Sequence, residues 1–203
     1  IDEHTKKGLR ACQIEAIENL EASFRQGKRR ALMVLATGAG KTFIACLAAY
    51  RLLRYVPKIK RILFLVDRNN LGRQAKNSFG DFSITENGDP FDKNYSVERI
   101  LSAKKPSSTV VIATIQRLFS LLKGETIEDV DDDGGFDPLE EMKVPENATL
   151  PPDFFDLIII DECHRSIYGN WRKVLEYFSS ARLIGLTATP IPETLAFFDK
   201  NIV

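Results

Sequence analysis

Cysteine is scarce: Cys12, Cys46 and Cys163 are the only three in 203 residues, and no two form a CxxC pair. They cannot all pair, so a disulfide-stapled secreted scaffold is excluded and a reducing, cytoplasmic setting is expected. Histidine is scarcer still, with only His4 and His164. That leaves a zinc site at Cys163 and His164 short of ligands. No apolar run approaches the roughly 20 residues of a membrane span, and no signal-peptide core opens the chain, so no membrane partner is expected. Net charge is also missing, since 28 Lys and Arg balance 28 Asp and Glu. The balance hides an asymmetry. Residues 125–141, "ETIEDVDDDGGFDPLEE", hold nine carboxylates and no basic residue. The other 186 residues therefore carry a surplus of nine positive charges, compatible with a polyanionic partner.

What is present is a series of continuous apolar runs. "RALMVLA" (30–36), "RILFLVD" (61–67), "STVVIAT" (108–114), "FDLIIID" (155–161) and "ARLIGLTAT" (181–189) read as strands. Such strands do not alternate, so both of their faces are buried. Helical patterns at 9–26, 43–54, 70–80, 115–122 and 171–178 alternate with them. The order predicts an α/β fold of three layers around a mostly parallel sheet. Ligands of such sheets sit beyond the carboxyl ends of the strands. Every polar cluster falls there: "TGAGKT", "DRNN", "TIQR", "DECHR" and "TATP". Two loop insertions are expected. Residues 80–107 would form an extended loop with a short helix in "SVERILSA", and the acidic 123–153 would largely lack fixed structure. The chain opens on Ile1 and stops soon after a Pro-rich turn. One domain, 1–203, from a larger protein is the expectation.

"ATGAGKT" (36–42) between a strand and a helix matches most of a phosphate-binding loop. Thr37, Gly38, Ala39 and Gly40 would let backbone N–H groups approach phosphate oxygens at the positive end of the next helix. Lys41 would reach the β- and γ-phosphates of ATP, and Thr42 would place its hydroxyl on Mg²⁺. The general pattern has glycine where Leu35 stands. Phosphoryl transfer to water also needs a carboxylate for the metal and a group that activates the water. Asp161 and Glu162, ending the "IIID" run, supply the two, with Asp161 toward the metal and Glu162 as base. A Cys163–His164 dyad is disfavoured, because neighbouring residues seldom orient toward each other. Cys163 reads as a small packing residue.

"LRACQIEAI", "LATGAGKT", "LVDRNNLGRQA", "VVIATIQRL", "IIIDECH" and "LTATP" together resemble the first RecA-like motor domain of superfamily 2 helicases and translocases, in that family's order and over nearly all of the chain. That family also lacks the first glycine of the general loop. "DECHRSIYGNWRKVLEYFSSARLIGLTATP" is similar to the R (restriction, or motor) subunit of type I restriction enzymes. The resemblance implies a RecA-like P-loop NTPase fold. It also implies ATP hydrolysis with Mg²⁺, coupled to translocation of double-stranded DNA before endonuclease cleavage. Specificity and modification subunits would be its partners. It gives Gln13, with Arg10 nearby, the role of reading the adenine edge, and makes His164 the link between the ATP site and "TAT". Thr187 and Thr189 would sense the γ-phosphate. Arg68, Gln74, Thr114, Gln116 and Arg117 would line a groove for the nucleic-acid backbone, without sequence readout. Motors of this kind close the ATP site with a second domain, so this chain alone would bind nucleotide and turn it over slowly. The alternatives are another superfamily 2 DNA or RNA helicase, although DEAD-box RNA helicases usually carry "SAT", or a binding module without turnover. A GTPase switch lacks its NKxD element here.

Overall fold

The computed structural model describes Lys6 and residues 8–83, 88–126, 143–146, 148–165 and 169–203. Six strands form its sheet: β1 (Arg30–Val34), β2 (Ile62–Val66), β3 (Val97–Arg99), β4 (Val110–Thr114), β5 (Leu157–Ile160) and β6 (Arg182–Thr187). Their order is β1-β6-β5-β2-β4-β3, and every pairing is parallel. The helices are α1 (Ala11–Arg25), α2 (Lys41–Tyr55), α3 (Asn69–Asp81), α4 (Phe91–Asn94), α5 (Ile115–Lys123), α6 (Gly169–Tyr177) and α7 (Pro192–Phe197). A 3₁₀ turn covers Cys163–Arg165. None of the described helices is long and apolar enough to cross a membrane.

The continuous apolar runs split between two cores because successive strand residues face opposite ways. Ala31, Met33, Ile62, Phe64, Leu157, Ile159, Ile184 and Leu186 pack with α1, α2 and α3 on one side. Leu32, Leu63, Leu65, Ile158, Ile160 and Leu183 pack with α5, α6 and Phe198 on the other. This is the three-layer arrangement that the alternation of strands and helices predicts.

Register aligns the strand ends. Val34 pairs with Thr187, Ile160 with both Leu65 and Gly185, and Val66 with Thr114. The phosphate loop, "DECH", "TAT", "DRNN" and "TIQR" therefore emerge at one rim.

One expectation is corrected. Within 80–107, "SVERILSA" does not form a helix; Val97–Arg99 is a sixth strand, β3, paired with β4. Its register is held by residues beyond "SVERILSA". Glu98 Oε1 accepts from the N–H groups of Ser107 and Ser108 (both 2.6 Å), and Ser96 Oγ accepts from Thr109 (3.0 Å). The polar stretch before it is anchored by the buried Phe91, which packs against Phe79, Phe82 and Tyr95. Of the expected insertion at 123–153, residues 127–142 and 147 lie outside the described residues. At the far margin, β1 is flanked by the chain's last residues. Leu32 N–H donates to Asn201 O and Val203 N–H to Leu32 O, both at 2.9 Å.

Candidate functional site

The phosphate loop begins one residue past β1, where Leu35 N–H donates to Thr187 O (2.9 Å). Leu35 is buried in the core, so the side chain at this position packs rather than meets a phosphate. Gly38 and Gly40 have φ of 81° and 84°, the left-handed region that favours glycine. Gly40 caps α2, and no side chain hydrogen-bonds the cap. The first N–H groups of a helix lack intrahelical partners, and its positive end suits an anion.

Two residues of the α1 region hold this loop. Arg10 Nη1 donates to Gly38 O (3.0 Å), and Gln13 Nε2 donates to Ala39 O (2.9 Å). Gln13 Oε1 in turn accepts from Arg10 N–H (3.0 Å). Only 6 % exposed, Gln13 has both ends of its amide engaged. A Cβ at Gly40 would stand 3.1 Å from Gln13 Nε2, so glycine is needed there for space as well as for its backbone angle.

β5 delivers the carboxylates. Asp161 N–H donates to Leu65 O (2.9 Å), which fixes the turn onto the sheet. Asp161 Oδ1 accepts from Glu162 N–H (3.0 Å). Glu162 has a φ of 47°, which is uncommon for any residue but glycine. Such a conformation costs about 1–3 kcal/mol and persists where the surroundings enforce it, often at functional sites. It aims Glu162 back at α2, where Oε1 lies 2.5 Å from Lys41 Nζ. Lys41, Asp161 and Glu162 thus meet at one rim, with Thr42 half-buried on the first turn of α2.

Burial pushes the Asp161 carboxyl above the usual range, and the charge of Glu162 pushes it further. Lys41 opposes the shift. The sign follows for stability. A folded-state pKa above the unfolded value means a contribution fully present below the ordinary carboxylate pKa and lost as pH rises through the folded one. Asp161→Asn, which keeps the acceptor for Glu162 N–H, is therefore expected to raise the neutral-pH melting temperature in the absence of Mg²⁺. The gain should vanish near pH 4, and thermal melts at the two pH values check it.

From the carboxylates a short chain of contacts leads to β6. His164 Nδ1 and Thr187 Oγ1 share a hydrogen bond at 3.0 Å, and Glu162 Oε2 lies 3.5 Å from the same nitrogen. Thr187 is fully buried, and its hydroxyl also accepts from Thr189 N–H (3.1 Å). Thr189 itself is exposed. Cys163 is buried against the position of Gly185, the packing part expected of it.

The residues expected to line a backbone groove divide. Arg68 is exposed beside Asp67 (3.7 Å) at the start of α3, and Gln74 is exposed further along that helix. Thr114 departs from the expectation. It is 2 % exposed, and its hydroxyl caps α5 by accepting from Arg117 N–H (3.3 Å). Its position is set by the helix start rather than by a surface. Arg117 and Gln116 are half-buried, and the Gln116 Oε1 atom is buried with no hydrogen-bond partner. Arg99, absent from the sequence reading because β3 was, lies across Gly72 one turn after Arg68. A Cβ at Gly72 would stand 3.4 Å from Arg99 Nε.

The sequence model of the family described as type III restriction enzyme, res subunit, matches residues 6–192. The chain is 36 % identical to the type I restriction enzyme EcoAI endonuclease subunit of Escherichia coli, over 93 % of this chain and 20 % of the relative. It is 31 % identical to the EcoKI endonuclease subunit of E. coli K12, over 96 % of this chain and 16 % of that relative. It thus spans about a fifth of the length of these relatives. Among solved structures, the UvsW helicase of bacteriophage T4 matches 96 % of this chain and 59 % of its own, with a TM-score of 0.60 at 16 % identity. That likeness bears on the fold.

Proposed function

From the premise that this chain belongs to the type III restriction enzyme res subunit family, we propose that it is the ATP-binding motor domain of a restriction endonuclease subunit. Its work is to couple ATP hydrolysis to movement along double-stranded DNA, in a complex with specificity and modification subunits. The observation that carries this reading is the meeting of Lys41 and Glu162 at the open N-terminus of α2. A basic group and an anion-binding helix end would hold a triphosphate, and a carboxylate within their reach would act on the water.

The donor set fits Mg²⁺, which takes one or two carboxylates plus hydroxyl, water and phosphate oxygens. Thr42 and Asp161 would hold it, and it would supply charge neutralisation between the phosphates. Lys41 would release Glu162 to meet the β- and γ-phosphates. Glu162, freed, would accept the proton of the attacking water. Gln13 and Arg10 would keep the loop in shape through Ala39 O and Gly38 O; Gln13 would meet the adenine edge with the N–H that Ala39 O does not take. His164 and Thr187 would carry the state of Glu162 to Thr189 at the rim. Arg68, Gln74, Gln116 and Arg117 would serve the DNA backbone, with Thr114 placing α5.

The test is binding of Mg-ATP and of a double-stranded DNA oligonucleotide to the chain by titration. Lys41→Ala is expected to weaken Mg-ATP at least tenfold without changing the unfolding free energy by more than about 1 kcal/mol. DNA affinity should fall steeply with salt, as phosphate contacts require. Equal ATP affinity in Lys41→Ala, or a preference for RNA over DNA, would overturn the reading in its nucleotide or its DNA part respectively.

A further inference from the structure

Phe43 is left over from both the fold and the phosphate chemistry. It follows Thr42 directly on the first turn of α2 and is 40 % exposed. Among the described residues the other exposed large apolar side chains are Tyr55, Leu101 and Ile202. Scattered apolar side chains on a surface need no explanation, but this one stands at the lip of the phosphate loop. A Cβ at Gly40 would lie 3.1 Å from Gln13 Nε2 and 3.8 Å from Phe43 Cβ, so these two side chains flank the same glycine. The Phe43 ring is also backed. It packs on Phe82 with centroids 5.3 Å apart and planes tilted by 50°, and Phe82 is buried in the core. A backed ring that stays 40 % exposed gives up little further freedom on binding and can still accept a partner.

The Gln13 amide beside it is anchored by one N–H to Ala39 O and by its oxygen to Arg10 N–H; its second N–H is the edge it can still offer. A base brought to this lip therefore meets an aromatic face beside that single polar edge. We propose that Phe43 is the stacking platform for the nucleotide base, and that it grips the base by its face rather than by its identity. This rests on the nucleotide reading above and adds to it a contact that does not depend on which base is bound. Stacking on an aromatic ring favours every base, since all present a π-face. ATP and GTP should gain alike, while a triphosphate without a base gains nothing.

The experiment compares Mg-ATP, Mg-GTP and Mg-tripolyphosphate binding to the unsubstituted chain, Phe43→Ala, Phe43→Tyr and Lys41→Ala. Phe43→Ala should weaken ATP and GTP by about five- to tenfold and leave tripolyphosphate unchanged. Phe43→Tyr should bind all three as the unsubstituted chain does. Loss of tripolyphosphate binding in step with ATP would make Phe43 a support of the loop and overturn the platform, as would undiminished ATP binding. Lys41→Ala separates the two claims. If it binds all three ligands as well as the unsubstituted chain does, the nucleotide reading fails and the platform falls with it.

Discussion

Glu162→Gln is expected to abolish most ATP turnover while leaving ATP binding intact or slightly tighter. A positioned general base contributes about 10²–10⁴-fold, and glutamine keeps the shape while losing the basicity. Binding should not suffer, because Glu162 competes for the very group that ATP needs. Its Oε1 lies 2.5 Å from Lys41 Nζ, and the two side chains are 32 % and 15 % exposed. Neutralising Glu162 weakens that ion pair and frees Lys41 for phosphate. It also removes one of the causes, after burial, that hold the Asp161 carboxyl high, which favours the charged form that a metal takes. Single-turnover phosphate release and equilibrium titration would separate the two effects. Turnover within about threefold of the unsubstituted chain would deny Glu162 the role of base. A fall in affinity matching that of Lys41→Ala would make it a structural partner instead.

Gly185→Ala should be the most destabilising single methyl in the molecule's centre. Gly185 lies mid-strand on β6, paired with Leu32 on one side and Ile160 on the other. An added Cβ would fall inside contact distance of the Phe198 ring, 2.7 Å from its Cε2, and 2.8 Å from Cys163 Sγ. Phe198 and Cys163 are fully buried, so neither can swing away into solvent. Overpacking of this kind costs about 1–3 kcal/mol, occasionally more. For a chain of this size each kcal/mol lowers the melting temperature by about 2–4 °C, so a drop of roughly 2–12 °C is expected. Phe198→Leu in the same chain should recover part of it, since the two side chains share one space. If Gly185→Ala melts within a degree or two of the unsubstituted protein, the ring is not wedged there. Cys163 begins the turn that also carries His164, so the same substitution should disturb the His164–Thr187 bond.

The large features of the fold were legible because burial on both faces leaves an unmistakable mark. "ILFLV" and "LIII" contain no polar residue, and their punctuation by helices left little choice but a parallel sheet. The meeting of Lys41 with Glu162 was legible for a related reason: parallel strands put all their carboxyl ends at one rim. β3 was not legible. "VER" is three residues long and carries two charges, and its pairing is secured by Ser107, Ser108 and Thr109, about ten residues on. No local pattern holds that information. Gln13 and Thr114 failed to announce their engagements for the same reason. A glutamine on a helix and a threonine at a strand end look solvated until the loop or helix that uses them is in place. Gly185 did leave a signal, a lone glycine inside "LIGLT", and such a glycine marks a close approach.

A parallel sheet has two lateral margins, and an unpaired margin invites another chain to add itself there. Here one margin is shielded by the returning tail, whose Asn201 and Val203 bond the backbone of Leu32. The other is only three residues long and bears Glu98 and Arg99. A parallel sheet whose ligands sit beyond its strand ends can close both flanks without covering that rim, and this one offers almost no template along them for fibre-like growth.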